Sequence, residues 1–208
     1  MTERAYRLPT DWRWVTPHCG IVPYVESAFP ETFLVECYLR AKADKTLDSV
    51  FGRGGTISLN RFIVRMQQCP VAVAVTVPDL RPLGIGWLYE VTGTGDSVSA
   101  NVGFVCFRDH WGKRALREVA SLALRFWCDT QKVHYFYGST RLDNRSALRF
   151  AQEIGFEQVG RLPGFFGRVD GALLALDACN IKSEGSGNDE RSEHPDGSKG
   201  IEPRQHGE

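Results

Sequence analysis

Val102-Gly103-Phe104-Val105-Cys106-Phe107, then Arg108-Asp109-His110, then Trp111-Gly112-Lys113-Arg114-Ala115-Leu116, is the stretch that decides the fold. Its first six residues are apolar and rich in β-branched and aromatic side chains, the composition of a buried strand. From Arg114 the pattern changes to helical spacing, with Leu116, Val119, Ala120, Ala123, Phe126 and Trp127 on one stripe through about Cys128. A strand that enters a helix through a short basic turn is an anion site. The first helical N–H groups lack partners, and the macrodipole favours negative charge there. A ligand bearing a pyrophosphate suits such a junction.

Outward from this point the chain alternates helical and extended patterns. Phe33, Leu34, Cys37, Tyr38 and Ala41 recur at helical spacing over Thr32–Asp44. Ser58 is positioned to cap a second helix with Leu59, Phe62, Ile63 and Met66 on one face, and Pro70 stops it. Three strands follow at Val71–Val77, Leu83–Val91 and Val98–Phe107, joined by the Pro78–Pro82 and Gly93–Asp96 turns. Such short turns imply an antiparallel meander. After the Arg114 helix come a strand at His134–Thr140 and a helix capped by Asp143 or Asn144, with Ala147, Leu148, Ala151 and Ile154 inward and Gly155 as its stop. Strands at Glu157–Arg161 and Gly171–Ala178 close the body. The predicted class is α/β: a mostly antiparallel mixed sheet with helices on both faces.

The 208 residues, 42 % of them apolar, suit one domain with an appendage. Residues 1–179 are expected to form the domain. From Asn180 to Glu208 there is no aromatic residue and only two strong aliphatics, Ile181 and Ile201, and the segment carries a net charge of −3. It is expected to be a disordered acidic tail. The body is then +3, too little to indicate nucleic acid and compatible with a small anion. The six cysteines show no C-x-x-C pair and no metal-ligand spacing, so free thiols, no metal and a reducing, cytoplasmic setting are expected. Met1–Pro9 lacks the apolar core of a signal peptide, and no apolar stretch is long enough to span a membrane.

Over about 60 residues, Val98 to Phe156, the chain resembles the GNAT superfamily of acyl-CoA N-acyltransferases. The likeness is to the branch that acetylates ribosomal-protein N-termini and related amines. It rests on Trp111-Gly112-Lys113 after a strand, on Asn144-Arg145-Ser146-Ala147, on Ile154-Gly155-Phe156, and on Arg168-Val169-Asp170-Gly171 before the last strand. The resemblance implies acetyl-CoA as co-substrate. Phe104, Val105 and Cys106 would meet its pantetheine arm. Trp111, Gly112, Lys113, Arg114, Ala115 and Leu116 would wrap the pyrophosphate, and Asn144 would contact the pantetheine region. It also implies that the fourth and fifth strands splay apart just beyond Gly103, with Phe104 to Cys106 and Asn144 on facing walls.

The family's turn reads Gln/Arg-x-x-Gly-x-[Gly/Ala], and here its small positions fall on Arg114 and Leu116. Arg114 either swings its guanidinium onto the phosphates or fills the slot. The position of the family's frequent glutamate base is Asn101, and that of its tyrosine acid is Ala151. The serine of the closest branch is Ala147, with Ser146 adjacent. Asn101 as the residue ordering a water and Ser146 as an aid to the leaving thiolate are therefore the catalytic candidates. Glu90, His110 and His134 read first as solvated or hydrogen-bonded side chains, with Glu90 the alternative base through water. Gly52-Arg53-Gly54-Gly55-Thr56 lacks the Gly-Lys-[Ser/Thr] ending of a phosphate loop and reads as a gate on the acceptor side.

The expected function is N-acetyl transfer from acetyl-CoA to a primary amine of a small molecule or protein N-terminus. The rival is a catalytically degenerate binding or assembly protein of the same fold, such as a bacteriophage virion component.

Overall fold

The computed structural model describes residues 14–24, 29–30, 32–51, 57–77 and 79–181, the side chains of Asp48 and Ser49 excepted. The Gly52–Thr56 loop and the tail beyond Ile181 lie outside the described residues. The elements are β1 (Cys19–Pro23), α1 (Phe33–Ala43), α2 (Leu47–Val50), α3 (Leu59–Gln67), β2 (Val71–Thr76), β3 (Pro82–Thr92), β4 (Ser99–Cys106), α4 (Arg114–Gln131), β5 (Tyr135–Arg141), α5 (Arg145–Glu153), β6 (Glu157–Phe166) and β7 (Val169–Asp177).

One seven-stranded sheet in the order β1-β2-β3-β4-β5-β7-β6 runs through the described residues. Every pairing is antiparallel except β4 with β5. The mixed sheet read from the sequence is therefore the observed one, and the single parallel pair follows because α4 carries the chain back across the sheet before β5 begins.

The two faces bury separate cores. α4 and α5 cover one face with Leu116, Val119, Leu124, Trp127, Ala151 and Ile154 among the buried side chains. α1, α2 and α3 cover the other face over β1 to β4, burying Phe33, Tyr38, Leu47, Phe62 and Met66 against Val73, Ile85, Trp87 and Val105. Gly103 is small for a reason: a Cβ there would stand 2.4 Å from the Trp87 indole. Ser58 caps α3, its hydroxyl oxygen accepting from the Arg61 N–H at 3.4 Å.

Three expectations need correction. β1 is missing from the sequence reading, because five residues after Pro17 show no clear alternation although four of them are buried. α2 is a single turn too short to carry a helical period. The body extends past Asp177 through a 3₁₀ turn to Ile181, which is buried and whose carbonyl oxygen accepts from Arg125 Nη2 at 3.4 Å. Asn180 and Ile181, read from the sequence as the start of the tail, are thus part of the described body. All six cysteines are free.

Candidate functional site

β4 and β5 pair only through Ser99–Tyr135, Ala100–Phe136 and Asn101–Tyr137. Beyond that rung β4 continues to Cys106 and β5 to Arg141 with no further pairing between them. The separation starts two residues earlier than the sequence reading placed it. Just past the vertex the strands are still in contact range, since a Cβ on Gly138 would meet the Val102 carbonyl oxygen at an ordinary 3.5 Å.

The Phe107 N–H donates to the Leu83 carbonyl oxygen at 3.0 Å. In an antiparallel ladder alternate residues bond the same neighbour, so Val105 and Gly103 also turn their backbone groups to β3. Phe104 and Cys106 turn theirs the other way, into the opening. Of the three residues assigned to the arm, Val105 thus faces away. The Phe104 ring packs toward Trp127 at 6.0 Å between centroids, leaving its backbone to face the gap. Burial pushes the Cys106 thiol up to about 12, which makes it an inert wall and no nucleophile.

Both helices that follow these strands begin at the open end. At the start of α4, Gly112 takes φ +74°, a left-handed conformation natural to glycine. The N–H groups of Gly112 and Ala115 have no acceptor among the described residues, whereas that of Leu116 donates to the Lys113 carbonyl at 3.2 Å. The Leu116 side chain is buried beneath α4 and does not occupy the turn. Trp111, assigned by the resemblance to the pyrophosphate turn, is 47 % exposed, and its Nε1 donates to the Cys106 carbonyl oxygen at 2.9 Å. The indole thus occupies one backbone acceptor at the end of β4. Arg114 Nε lies 2.9 Å from Glu118 Oε1; the Arg114 side chain is 68 % exposed and that of Glu118 only 8 %. Glu118 Oε2 also accepts from Thr16 Oγ1 at 3.2 Å. Arg114 is therefore anchored by a buried carboxylate one turn along its own helix. The sequence missed Glu118, although its i,i+4 spacing from Arg114 was the available signal.

Lys113 is exposed beside Arg114. His110 is held below the ordinary histidine value by burial first, then by Lys113 and Arg40, so it is neutral near pH 7. On the other side of the mouth, the Asn144 side-chain oxygen caps α5, accepting from the Ala147 N–H at 3.1 Å. Ser146 is exposed in the first turn of α5.

At the closed end of the gap, Asn101 Nδ2 donates to Glu90 Oε2 at 2.6 Å. Glu90 sits in a bulge, where the β3–β4 register shifts between Tyr89 and Thr92, and it takes φ +52°. A non-glycine residue in that region is strained, and a bulge re-aims its side chain. The carboxylate read first as solvated is thus hydrogen-bonded to Asn101, the residue at the position where the resemblance puts the family's glutamate. His134 is apart from this pair, its Nδ1 buried and without a partner among the described residues.

A strand that parts from its parallel neighbour, two helix N-termini at the opening and a carboxylate at its vertex define an acyl-transfer fold. The acetyltransferase (GNAT) domain family matches residues 43–157. The chain belongs to that family. Its fold is similar to spermidine N-acetyltransferase from Vibrio cholerae, solved with CoA and spermine, at TM-score 0.63 and 15 % identity over 78 % of this chain and 96 % of that one. It is similar to ribosomal-protein-S5-alanine acetyltransferase from Vibrio fischeri at TM-score 0.62 and 14 % identity, covering 81 % and 98 %. Mycobacterium smegmatis RimJ, solved with CoA-disulfide, gives 0.62 and 15 %, covering 79 % and 84 %. No curated protein matches the sequence. No helix among the described residues is long and apolar enough to cross a membrane, and none of their His, Cys, Asp and Glu side chains form a metal-binding group.

Proposed function

We propose that the protein transfers an acetyl group from acetyl-CoA to a primary amine at the parting of β4 and β5. The observation that carries this reading is the gap beyond Asn101–Tyr137, with Phe104 and Cys106 backbone groups facing it and Glu90 held by Asn101 at its vertex. Residues at the gap fit the co-substrate. A peptide-like pantetheine arm needs unpaired strand amides and carbonyls, and a pyrophosphate needs helix amides with nearby cations. The Phe104 backbone and the Cys106 N–H supply the first, the Cys106 carbonyl being taken by Trp111. Gly112, Ala115, Lys113 and Arg114 supply the second, with Trp111 and Leu116 shaping the turn and Asn144 beside the arm. Val105 supports the strand from below. CoA in the solved structures of the spermidine acetyltransferase and RimJ supports the same choice of donor.

Acetyl transfer forms a bond from the amine nitrogen to the acetyl carbon and breaks the carbon–sulfur bond. The amine gives up a proton and the thiolate gains one. Glu90 is the proton acceptor, reached directly or through one water. Asn101 fixes the carboxylate and orders that water. Ser146 stands on the thiolate side as the donor. Holding the amine and the thioester together supplies the largest share of the rate. The acceptor is an amine-bearing small molecule or a protein N-terminus, and the compartment is cytoplasmic.

Thiol release from acetyl-CoA over a panel of primary amines tests the reading. Turnover is expected with at least one amine, and Glu90→Gln should lower kcat by about 100-fold, the usual scale for a general base. Acetyl-CoA binding without turnover on any amine would instead favour the non-catalytic reading.

A further inference from the structure

Beside the reaction point the described residues leave one face of the sheet uncovered, with a shaped surface. The helices α1 to α3 cover β1 to β4 on that side, whereas Tyr135, Tyr137 and Val159 remain exposed. Strand register sets out a single row across it. Tyr89 pairs with Asn101, Asn101 with Tyr137, Tyr137 with Ala175, and Ala175 with Glu157. Register partners put their side chains on the same face, so this row runs from the Glu90–Asn101 pair to Glu157 on β6. A cavity of about 220 Å3 lies at its far end, lined by Tyr135, Tyr137, Val159, Ala175, Glu157 and Asp177. Ala175 makes the dent, because it is the small residue between Tyr137 and Glu157.

The chemistry of this cavity is that of a cation seat. Two tyrosine rings offer π faces, Val159 offers apolar contact for an alkyl chain, and two carboxylates offer charge, Glu157 and Asp177, the latter with Oδ1 also accepting from the Cys179 N–H at 2.9 Å. Among the described residues no arginine or lysine lines it. Arg141, further along β5, is engaged by Asp143 through Nε to Oδ1 at 2.8 Å and Nη2 to Oδ2 at 2.7 Å. From β4 to β6 the row crosses three strand spacings, about 14 Å at the usual separation.

We propose that the acceptor carries a second cationic group, seated between Tyr135, Tyr137, Glu157 and Asp177 while its reacting amine stands at Glu90. The inference rests on the acetyltransferase reading and narrows its substrate to linear diamines and longer chains with amines roughly 10–14 Å apart, matched to that row. The row selects among acceptors by length, since a shorter diamine cannot reach both ends.

Steady-state kinetics with a series of α,ω-diamines, each compared with the monoamine of equal carbon count, test it. Diamines long enough to span the row should exceed their monoamines in kcat/KM by about tenfold or more, as one added ion contact allows. The double variant Glu157→Gln, Asp177→Asn should bring that ratio close to one, through KM. Val159→Trp, which fills the cavity without altering charge, should have the same effect. Equal kcat/KM for diamines and monoamines would overturn the proposal while leaving acetyl transfer intact. So would a ratio unmoved by either variant, or a concentration-dependent dimer broken by Val159→Asp, which would assign this face to a second copy. Absence of acetyl-CoA binding would overturn the acetyltransferase reading itself.

Discussion

Asn101 and Glu90 are joined across adjacent strands by a 2.6 Å hydrogen bond, although Asn101 pairs in register with Tyr89 and not with Glu90. The bulge makes this contact. By turning Glu90 to φ +52° it swings the carboxylate from the strand edge onto the amide of Asn101. The last β4–β5 rung, Asn101–Tyr137, is the same residue's other partnership. Asn101 thus links the strained carboxylate to the point where the strands part.

Strain at Glu90 separates stability from activity. Glu90→Gly removes the left-handed penalty of about 1 kcal/mol at the loss of one exposed hydrogen bond. The variant should melt no lower than the wild type by calorimetry, while its kcat falls by at least tenfold. A melting temperature several degrees lower would show that the pair holds the fold and is not there for chemistry.

Much of this arrangement was legible in the sequence, and the reasons are local. The change from strand to helical period at Arg114, the Ser58 cap and the Asn144 turn are encoded within a few residues each. The partnerships of Glu90 and Glu118 are different in kind. Glu90 becomes a partner of Asn101 only through a register shift, which no period reveals. Glu118 is polar within an otherwise apolar helical stripe, and its burial follows from Thr16, more than a hundred residues away. β1 was lost for a similar reason, since its identity as a strand depends on pairing with β2. The aromatic face of β5 shows in the Tyr-x-Tyr alternation of Tyr135 and Tyr137, but its exposure among the described residues depends on where α1 to α3 end.

Alkaline pH should destabilise the fold through the buried Cys37 thiol and the half-buried thiols of Cys106 and Cys128. Burial first, then the nearby Glu36, raises the Cys37 thiol to about 12, burial alone raises Cys106 to about 12, and burial with Asp129 raises Cys128 to about 11, all from 9.0. Between pH 9 and 11 the unfolded chain releases protons that the folded chain retains. The unfolded state therefore binds fewer protons and stability falls as pH rises. Each thiol contributes a slope of up to about 1.4 kcal/mol per pH unit. Urea midpoints measured from pH 7.5 to 10.5 should hold level to about pH 8.5 and then drop steeply. Replacing Cys37 and Cys106 with alanine should flatten the drop, and an unchanged slope would contradict the account.

Ile181, the last described residue, is buried. Truncation after Ile181 should leave the melting temperature within about 2 °C of the full chain, because a polar acidic segment buries little apolar surface. Truncation after Asp177 removes a buried aliphatic and the carbonyl bound by Arg125, so it should cost about 1–3 kcal/mol, or several degrees. Equal melting temperatures for the two truncations would contradict this boundary.

The central claim is that the gap between β4 and β5, with the α4 N-terminus at its mouth, binds acetyl-CoA. Isothermal titration of the full-length protein with acetyl-CoA tests it most directly, with Arg114→Gly in parallel. Arg114, anchored by Glu118, contributes a charge-assisted contact of about 1.5–3 kcal/mol. The account predicts one site per chain in the wild type and affinity weaker by about tenfold or more in the variant. Absence of binding in the wild type, or equal or tighter binding by Arg114→Gly, would contradict it.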